Sequence, residues 1–213
     1  MAARGYGQYC GFARALEAVG ERWALLVIRD LLVGPKRFSE LQRGLPRIPS
    51  NILTARLKEL EEAGIVRRRV QPRSAGGGVA YELTEEGRGL ETAVTALGRW
   101  GAKRLGEPRP GEVVTEDSLA SALRTIFRPG GQRDDLGFEL RVGDLVVNAR
   151  VRDGRVQVGR GGLERPDLVI EAGPQIRSVL AREVTAREAL RTGTVRLRGK
   201  RALFDHFLEL FRI

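Results

Sequence analysis

The run Ser50-Asn51-Ile52-Leu53-Thr54-Ala55-Arg56-Leu57-Lys58-Glu59-Leu60-Glu61-Glu62-Ala63 decides the fold of the first half of this chain. Leu53, Leu57 and Leu60 recur at helical spacing and form one apolar stripe, and Gly64 supplies a C-terminal stop. The opposite face carries Asn51, Thr54, Ala55 and Lys58, all short or polar. Upstream, Gly44-Leu45-Pro46 separates this helix from a short one over residues 37–42. Before that, Gly34-Pro35 ends a helix over residues 22–33, whose Trp23, Leu26, Val27, Ile28, Leu31 and Leu32 read as too apolar to be exposed. Gly11–Val19 shows helical spacing again, through Phe12, Ala15, Leu16 and Val19. Downstream come two short strands, residues 65–71 and Val79–Leu83, joined by a glycine-rich turn. Thr84 then caps a long helix reaching Leu105, with Glu85 and Glu86 in its first turn.

Helix, short helix, turn, helix, β-hairpin is the order of a winged helix-turn-helix. In that arrangement the second helix of the pair packs by its leucines and offers its polar face to the major groove of DNA. Asn51 can read adenine bidentately, and Ser39, Ser50 and Thr54 can meet bases or phosphates, with Ala55 and Lys58 on the same face. Arg56 is expected near the groove wall, where a guanidinium forks onto phosphate, and Arg37 is a further candidate for DNA binding. Arg73 flanks the three glycines of the hairpin tip and is expected to probe phosphate or the minor groove. Arg67-Arg68-Arg69 reads either as a DNA-facing strand or as a solvated one.

Composition narrows the classes further. The chain has 213 residues, room for two domains of about 100 each. Lys and Arg number 37 against 27 Asp and Glu, a net charge of +10. Arginine outnumbers lysine 33 to 4, a bias that can reflect genome composition as readily as binding, so the distribution of charge is the better guide. Residues 1–106 carry a net of +7 and residues 107–213 a net of +3, which places the polyanion partner on the first half. With one cysteine and one histidine, the chain builds neither an intramolecular disulfide nor a Cys/His zinc site. It has no apolar run of about 18 residues and its start lacks the apolar core of a signal peptide, so a cytoplasmic location with no membrane partner is expected. Residues 106–111, with two prolines and two glycines, mark the break: residues 1–106, a linker over 107–114, and residues 115–213.

The first half resembles HxlR-type transcriptional regulators. The resemblance lies in the run Ala15-Leu16-Glu17-Ala18-Val19-Gly20-Glu21-Arg22-Trp23-Ala24-Leu25-Leu26-Val27-Ile28-Arg29-Asp30-Leu31-Leu32, then Gly34-Pro35, Arg37-Phe38-Ser39-Glu40-Leu41, Ile48-Pro49-Ser50, residues 53–60 and Tyr81-Glu82-Leu83-Thr84-Glu85-Glu86-Gly87. It covers roughly residues 9–105 and implies a dimeric DNA-binding repressor or activator. One departure is that Pro49-Ser50 stands where the family commonly has Ser-Pro, which displaces the N-cap serine of the recognition helix. The resemblance also implies two readings for Cys10: a redox or electrophile sensor at a helix start with Arg14 one turn on, or a small buried hydrophobe. Trp23 and Trp100 read as core or dimer packing.

The second half reads as a helix over 117–127, three alternating segments joined by the turn dipeptides Gly143-Asp144 and Asp153-Gly154, and a fourth strand at 167–171. Two short helices, a strand at 194–198 and a last helix over 200–212 follow. The motifs Pro166-Asp167-Leu168-Val169-Ile170, Thr185-Ala186-Arg187-Glu188-Ala189-Leu190 and Gly193-Thr194-Val195-Arg196-Leu197-Arg198-Gly199 are similar to the sterol carrier protein type 2 fold over about residues 115–213. That resemblance implies an antiparallel sheet backed by helices around an apolar tunnel, hence a hydrophobic or lipid-like effector. Phe127, Phe138, Phe204, Phe207 and Phe211 are the candidate lining residues. An aromatic stripe at helical spacing fits a filled core or a dimer contact equally well.

No catalytic constellation stands out. His206 has no nucleophile in pattern with it, Gly193 to Gly199-Lys200-Arg201 departs from a phosphate loop in both spacing and final residue, and Asp134-Asp135 lacks metal-binding company. The whole therefore reads as an α+β, two-domain, non-enzymatic transcription factor without a cofactor or metal. It is expected to be homodimeric and to bind double-stranded DNA, with an apolar effector as the input. The alternative input is Cys10, with the second domain serving only dimerisation. A lipid carrier with a vestigial DNA-binding half is the third class.

Overall fold

The computed structural model describes residues 5–72, 77–106, 108–130 and 135–213. The chain divides into two compact units, Met1–Val94 and Thr95–Ile213.

In the first unit α1 (Gly11–Val19), α2 (Ala24–Val33), α3 (Phe38–Gly44) and α4 (Ser50–Glu62) precede a hairpin of β1 (Val66–Val70) and β2 (Val79–Leu83). The stripe read from sequence is the core. Leu53, Leu57 and Leu60 of α4 pack with Val27, Ile28 and Leu31 of α2 and with Leu41 of α3, none more than 2% exposed. Leu26 departs from expectation: it is 38% exposed, because α2 turns that side of its apolar surface away from the α3–α4 pair. The hairpin is tied to the helices by a bridge in which the Lys36 N–H donates to the Tyr81 carbonyl (2.9 Å) and the Tyr81 N–H donates back to the Lys36 carbonyl (2.7 Å).

The long helix expected after Thr84 is broken in two, α5 (Glu85–Gly89) and α6 (Glu91–Ala102). Thr84 does cap, accepting from the Gly87 N–H at 3.1 Å. Gly87 is required by packing, since a Cβ there would stand 2.1 Å from the Ile65 carbonyl oxygen. Two glycines within five residues then weaken helix propagation at the junction. The division between the units falls inside α6, between Val94 and Thr95.

The second unit contains α7 (Glu116–Ile126), β3 (Asp135–Val142), β4 (Leu145–Arg152), β5 (Arg155–Arg160), β6 (Leu168–Ala172), α8 (Ile176–Leu180), α9 (Ala186–Arg191), β7 (Val195–Gly199) and α10 (Arg201–Leu210). Its strand order is β5-β4-β3-β6-β7. The sheet is mixed rather than wholly antiparallel, since β6 pairs with β3 in parallel, Phe138 opposite Leu168 and Leu140 opposite Ile170. The reason is topological. After the β3–β4–β5 meander the chain crosses back to the edge of β3 that β4 leaves open, and β6 enters there from the same end as β3, the Asp167 N–H donating to the Gly137 carbonyl at 2.7 Å. Arg99 serves this unit by donating from Nε to the Thr125 carbonyl (2.8 Å) and from Nη2 to the Phe127 carbonyl (3.1 Å), which satisfies carbonyls at the end of α7.

Candidate nucleic-acid interface

Helix α4 presents the two faces its sequence foretold. Asn51, Thr54 and Lys58 are exposed on the side opposite the buried leucines, Ser50 is exposed at the helix start, and Ala55 is half-buried beside them. Pro49 occupies the N-cap in extended conformation, so Ser50 is the first helical residue and caps nothing. The Thr54 hydroxyl donates to the Ser50 carbonyl at 2.9 Å, leaving its oxygen as an acceptor toward solvent. Lys58 lies 3.7 Å from Glu62, an exposed pairing that leaves the ammonium accessible. Ser39 is exposed on α3.

Two arginines expected to contact DNA, Arg56 and Arg37, are paired within the protein. Arg56 is 14% exposed and bound to Glu59 (2.5 Å) and Glu21 (3.4 Å). Arg37 sends Nη2 to the Gly77 carbonyl (2.7 Å) and to Gln71 Oε1 (3.3 Å), while its own N–H donates to Glu40 (2.7 Å). It therefore braces the base of the wing against the start of α3. Arg73 lies outside the described residues.

The arginine triplet of β1 is ordered by acids. Arg67 and Arg69 share Glu82 (2.8 and 3.3 Å), and Arg68 reaches Glu61 (3.1 Å) while lying over the Tyr81 ring. Burial pushes the Glu82 carboxyl up, but the two guanidiniums outweigh it and hold its pKa below the usual carboxylate range. The three arginines remain outward-facing and exposed.

Sequence reasoning passed over an open hollow of about 390 Å³ beside the start of α4, to which Arg22, Trp23 and Arg47 contribute. The Arg22 guanidinium lies over the Trp23 ring at 5.3 Å from its centroid, and Trp23 sits at φ 82, a left-handed conformation rare for so large a residue. Spacing alone does not reveal this hollow, because it forms only where residues 21–23 meet residues 47–56.

Cys10 is exposed at the N-cap of α1. The amide N–H groups of Ala13 and Phe12 favour its thiolate and hold the pKa below that of an ordinary thiol. Arg14, the cation expected to help, is instead paired with Glu17 at 2.8 Å. In the second unit four of the five phenylalanines pack ring against ring. Phe207 stacks on Phe211 (centroids 4.6 Å), Phe138 meets Phe207 edge-on (5.2 Å), and Phe127 tilts against Phe211 (5.5 Å). Phe204 is fully buried beside them on α10, and none of the five exceeds 6% exposure. Among the described residues no group of three or more His, Cys, Asp or Glu could hold a metal ion, and no helix is long and apolar enough to cross a membrane.

A helix pair with an exposed polar recognition face, followed by a two-stranded wing, defines a winged helix-turn-helix of the kind that binds DNA. The chain belongs to the HxlR-like helix-turn-helix family, which it matches over residues 18–108. The HTH-type transcriptional regulator YodB of Bacillus subtilis is 40% identical over 103 residues, 48% of this chain and 88% of that one. The regulator YvaP of the same organism is 36% identical over 89 residues, 42% of this chain and 82% of that one. A regulator of Mycobacterium tuberculosis is 45% identical over 97 residues, and there the match spans only 59% of the relative's length. Among solved structures, the redox regulator HypR in its oxidized form is 36% identical over 46% of this chain and 99% of that one, with a TM-score of 0.42. The reduced form of YodB is 38% identical over 48% of this chain and 99% of that one, with a TM-score of 0.40. The protein is thus a helix-turn-helix transcriptional regulator. These similarities end with the first half, and the sterol carrier resemblance of the second finds no counterpart in them.

Proposed function

We propose that this regulator binds operator DNA as a homodimer, with α4 entering the major groove and Asn51, Thr54 and Lys58 as its readers. The observation that carries the reading is the division of α4 into a fully buried leucine stripe and a polar face open to solvent. Ser39 and Ser50 stand at the edges of that face as phosphate contacts, and the β1 arginines with the wing tip supply charge toward the flanking backbone. Tyr9, Phe12 and Leu26 are exposed apolar side chains of the first unit and suit burial against a second copy. Selection of duplexes from a random pool, followed by anisotropy titrations, tests the reading. Two half-sites about one helical turn or a multiple apart support it, and binding without sequence preference sinks it.

Two inputs remain part of the proposal. The first is a hydrophobic effector in the second unit, supported by a layer of five phenylalanines between sheet and helix. Because those rings touch, the effector must part them, and native mass spectrometry followed by organic extraction would show it as added mass. The second is oxidation or alkylation at Cys10, favoured by an exposed thiol whose pKa is lowered at a helix start. Loss of an oxidant response in Cys10→Ser with DNA affinity retained supports it, whereas an unchanged response removes it.

A further inference from the structure

We propose that the hollow beside α4 is a phosphate seat that takes a phosphodiester of the DNA backbone next to the groove α4 enters; this deepens the reading of α4 as the recognition helix and rests on it. Arg22, Arg47 and Arg56 border the hollow together with Glu21, and because Arg56 is held by Glu59 (2.5 Å) within the wall, Arg22 and Arg47 are the arginines the seat relies on. Glu21 already answers Arg56 at 3.4 Å, so its charge is partly spent inside the wall. The buried Nε–H of Arg56 has no hydrogen-bond acceptor among the described residues, which leaves a donor at the hollow without an acceptor. Arg22 is steered by its contact with the Trp23 ring and does not sweep freely through solvent.

The backbone adds to this field. Trp23 is the N-cap of α2 and Pro49 the N-cap of α4, and neither side chain caps its helix. The first-turn amides of α4 therefore point outward without an intrahelical acceptor, and the positive ends of two helix dipoles fall at one hollow. Pro49, Ile52 and Arg56 follow one another at i, i+3 and i+7, one step around α4 from Asn51, Thr54 and Lys58. The hollow thus borders the reading face, where the sugar-phosphate wall of an occupied groove runs. Its shape selects the ligand as well. A free carboxylate effector needs a site that encloses most of its surface, whereas a backbone phosphate needs one open side.

The test uses the full chain, its selected duplex and a scrambled duplex of equal length, titrated by anisotropy between about 50 and 200 mM salt. Arg22→Ala/Arg47→Ala is expected to weaken both duplexes alike and to reduce the slope of log K against log salt by about 1, since one lost phosphate contact is worth roughly 0.9. A variant of equal charge loss on α9, Arg187→Ala/Arg191→Ala, should leave the slope alone. An unchanged slope in the first variant, or an equal fall in the second, overturns the seat. Asn51→Ala separates this from the base reading: if it leaves discrimination unaltered while the slope still falls in the arginine variant, Asn51 is not the base reader and the phosphate contact stands without it. As an independent readout, Trp100→Phe makes Trp23 the sole tryptophan. Its emission should shift on adding duplex, and a response to inorganic phosphate or sulfate without one to duplex identifies a free-anion site instead.

Discussion

Arg37 is the sharpest place to separate structural bracing from DNA contact, because its type and position suggest one and its partners the other. Replacing it with Met keeps the aliphatic length and removes the Nη2 donor shared by the Gly77 carbonyl at 2.7 Å and Gln71 Oε1 at 3.3 Å. A hydrogen bond from a charged donor contributes about 1.5–3 kcal/mol, and partial exposure lowers that to roughly 1–1.5 kcal/mol for the wing base. The amides of Gln71 and Gly77, which bond to the Gly78 and Pro72 carbonyls, should therefore lose about tenfold in exchange protection. Protection in α4 at Leu53 and Leu57 should not change. Hydrogen exchange followed by mass spectrometry or NMR reads both. Arg37→Lys should rescue in part, since both bonds leave from the single nitrogen Nη2 and an ammonium has hydrogens enough for two acceptors. Unchanged protection at the wing base, together with a salt slope of DNA binding lowered by about 1, would refute the bracing role and restore a direct phosphate contact.

Asn51→Ala should cut the ratio of selected to scrambled duplex affinity by roughly 5- to 150-fold, the worth of one bidentate base contact, while the salt slope stays put. Because the folded Glu82 carboxyl lies below its ordinary range, the Glu82–arginine cluster stabilises the wing above the unfolded carboxylate pKa and loses that contribution as pH falls through the folded value. Thermal melts from pH 6 to pH 3 should accordingly show a shallower acid decline in Glu82→Gln. Phe207→Ala should destabilise the second unit by about 3–5 kcal/mol, read as an earlier thermal transition, with the discrimination ratio measured below that transition unaltered. Alkylation of Cys10 by iodoacetamide should stay fast at a pH where a free-cysteine peptide has slowed, since the α1 amides favour its thiolate.

Periodicity made the first unit legible nearly throughout. The leucine stripe of α4, the stop at Gly64 and the alternating strands follow from local rules, and the structure realises them within a residue or two. What sequence could not show was pairing at a distance. Arg37 and Arg56 look like any exposed basic residues until Gly77 and Glu21 arrive beside them from other parts of the chain. The break between α5 and α6 hid for a related reason: only the approach of the Ile65 carbonyl makes Gly87 obligatory. In the second unit the turn dipeptides announced the meander, but no local signal says which edge the fourth strand joins or in which direction, and its parallel pairing with β3 makes the sheet mixed. The phenylalanine spacing identified the buried face of α10 and was silent on whether its rings would line a space or fill it.

The charge on the reading face also has a chemical character. Lys58 is the only lysine on the outward side of α4, and Lys36 is buried in the bridge to the wing; the cations of β1 and of the hollow are arginines. Arginine keeps its proton at every pH a cell reaches and is no substrate for acetyl transfer to an amine. Enzymatic acetylation could neutralise this surface at one exposed position and leave the rest at full strength. If α4 reads DNA as proposed, release is expected to come through geometry, by moving α4 or the wing, because the surface offers almost nothing to discharge.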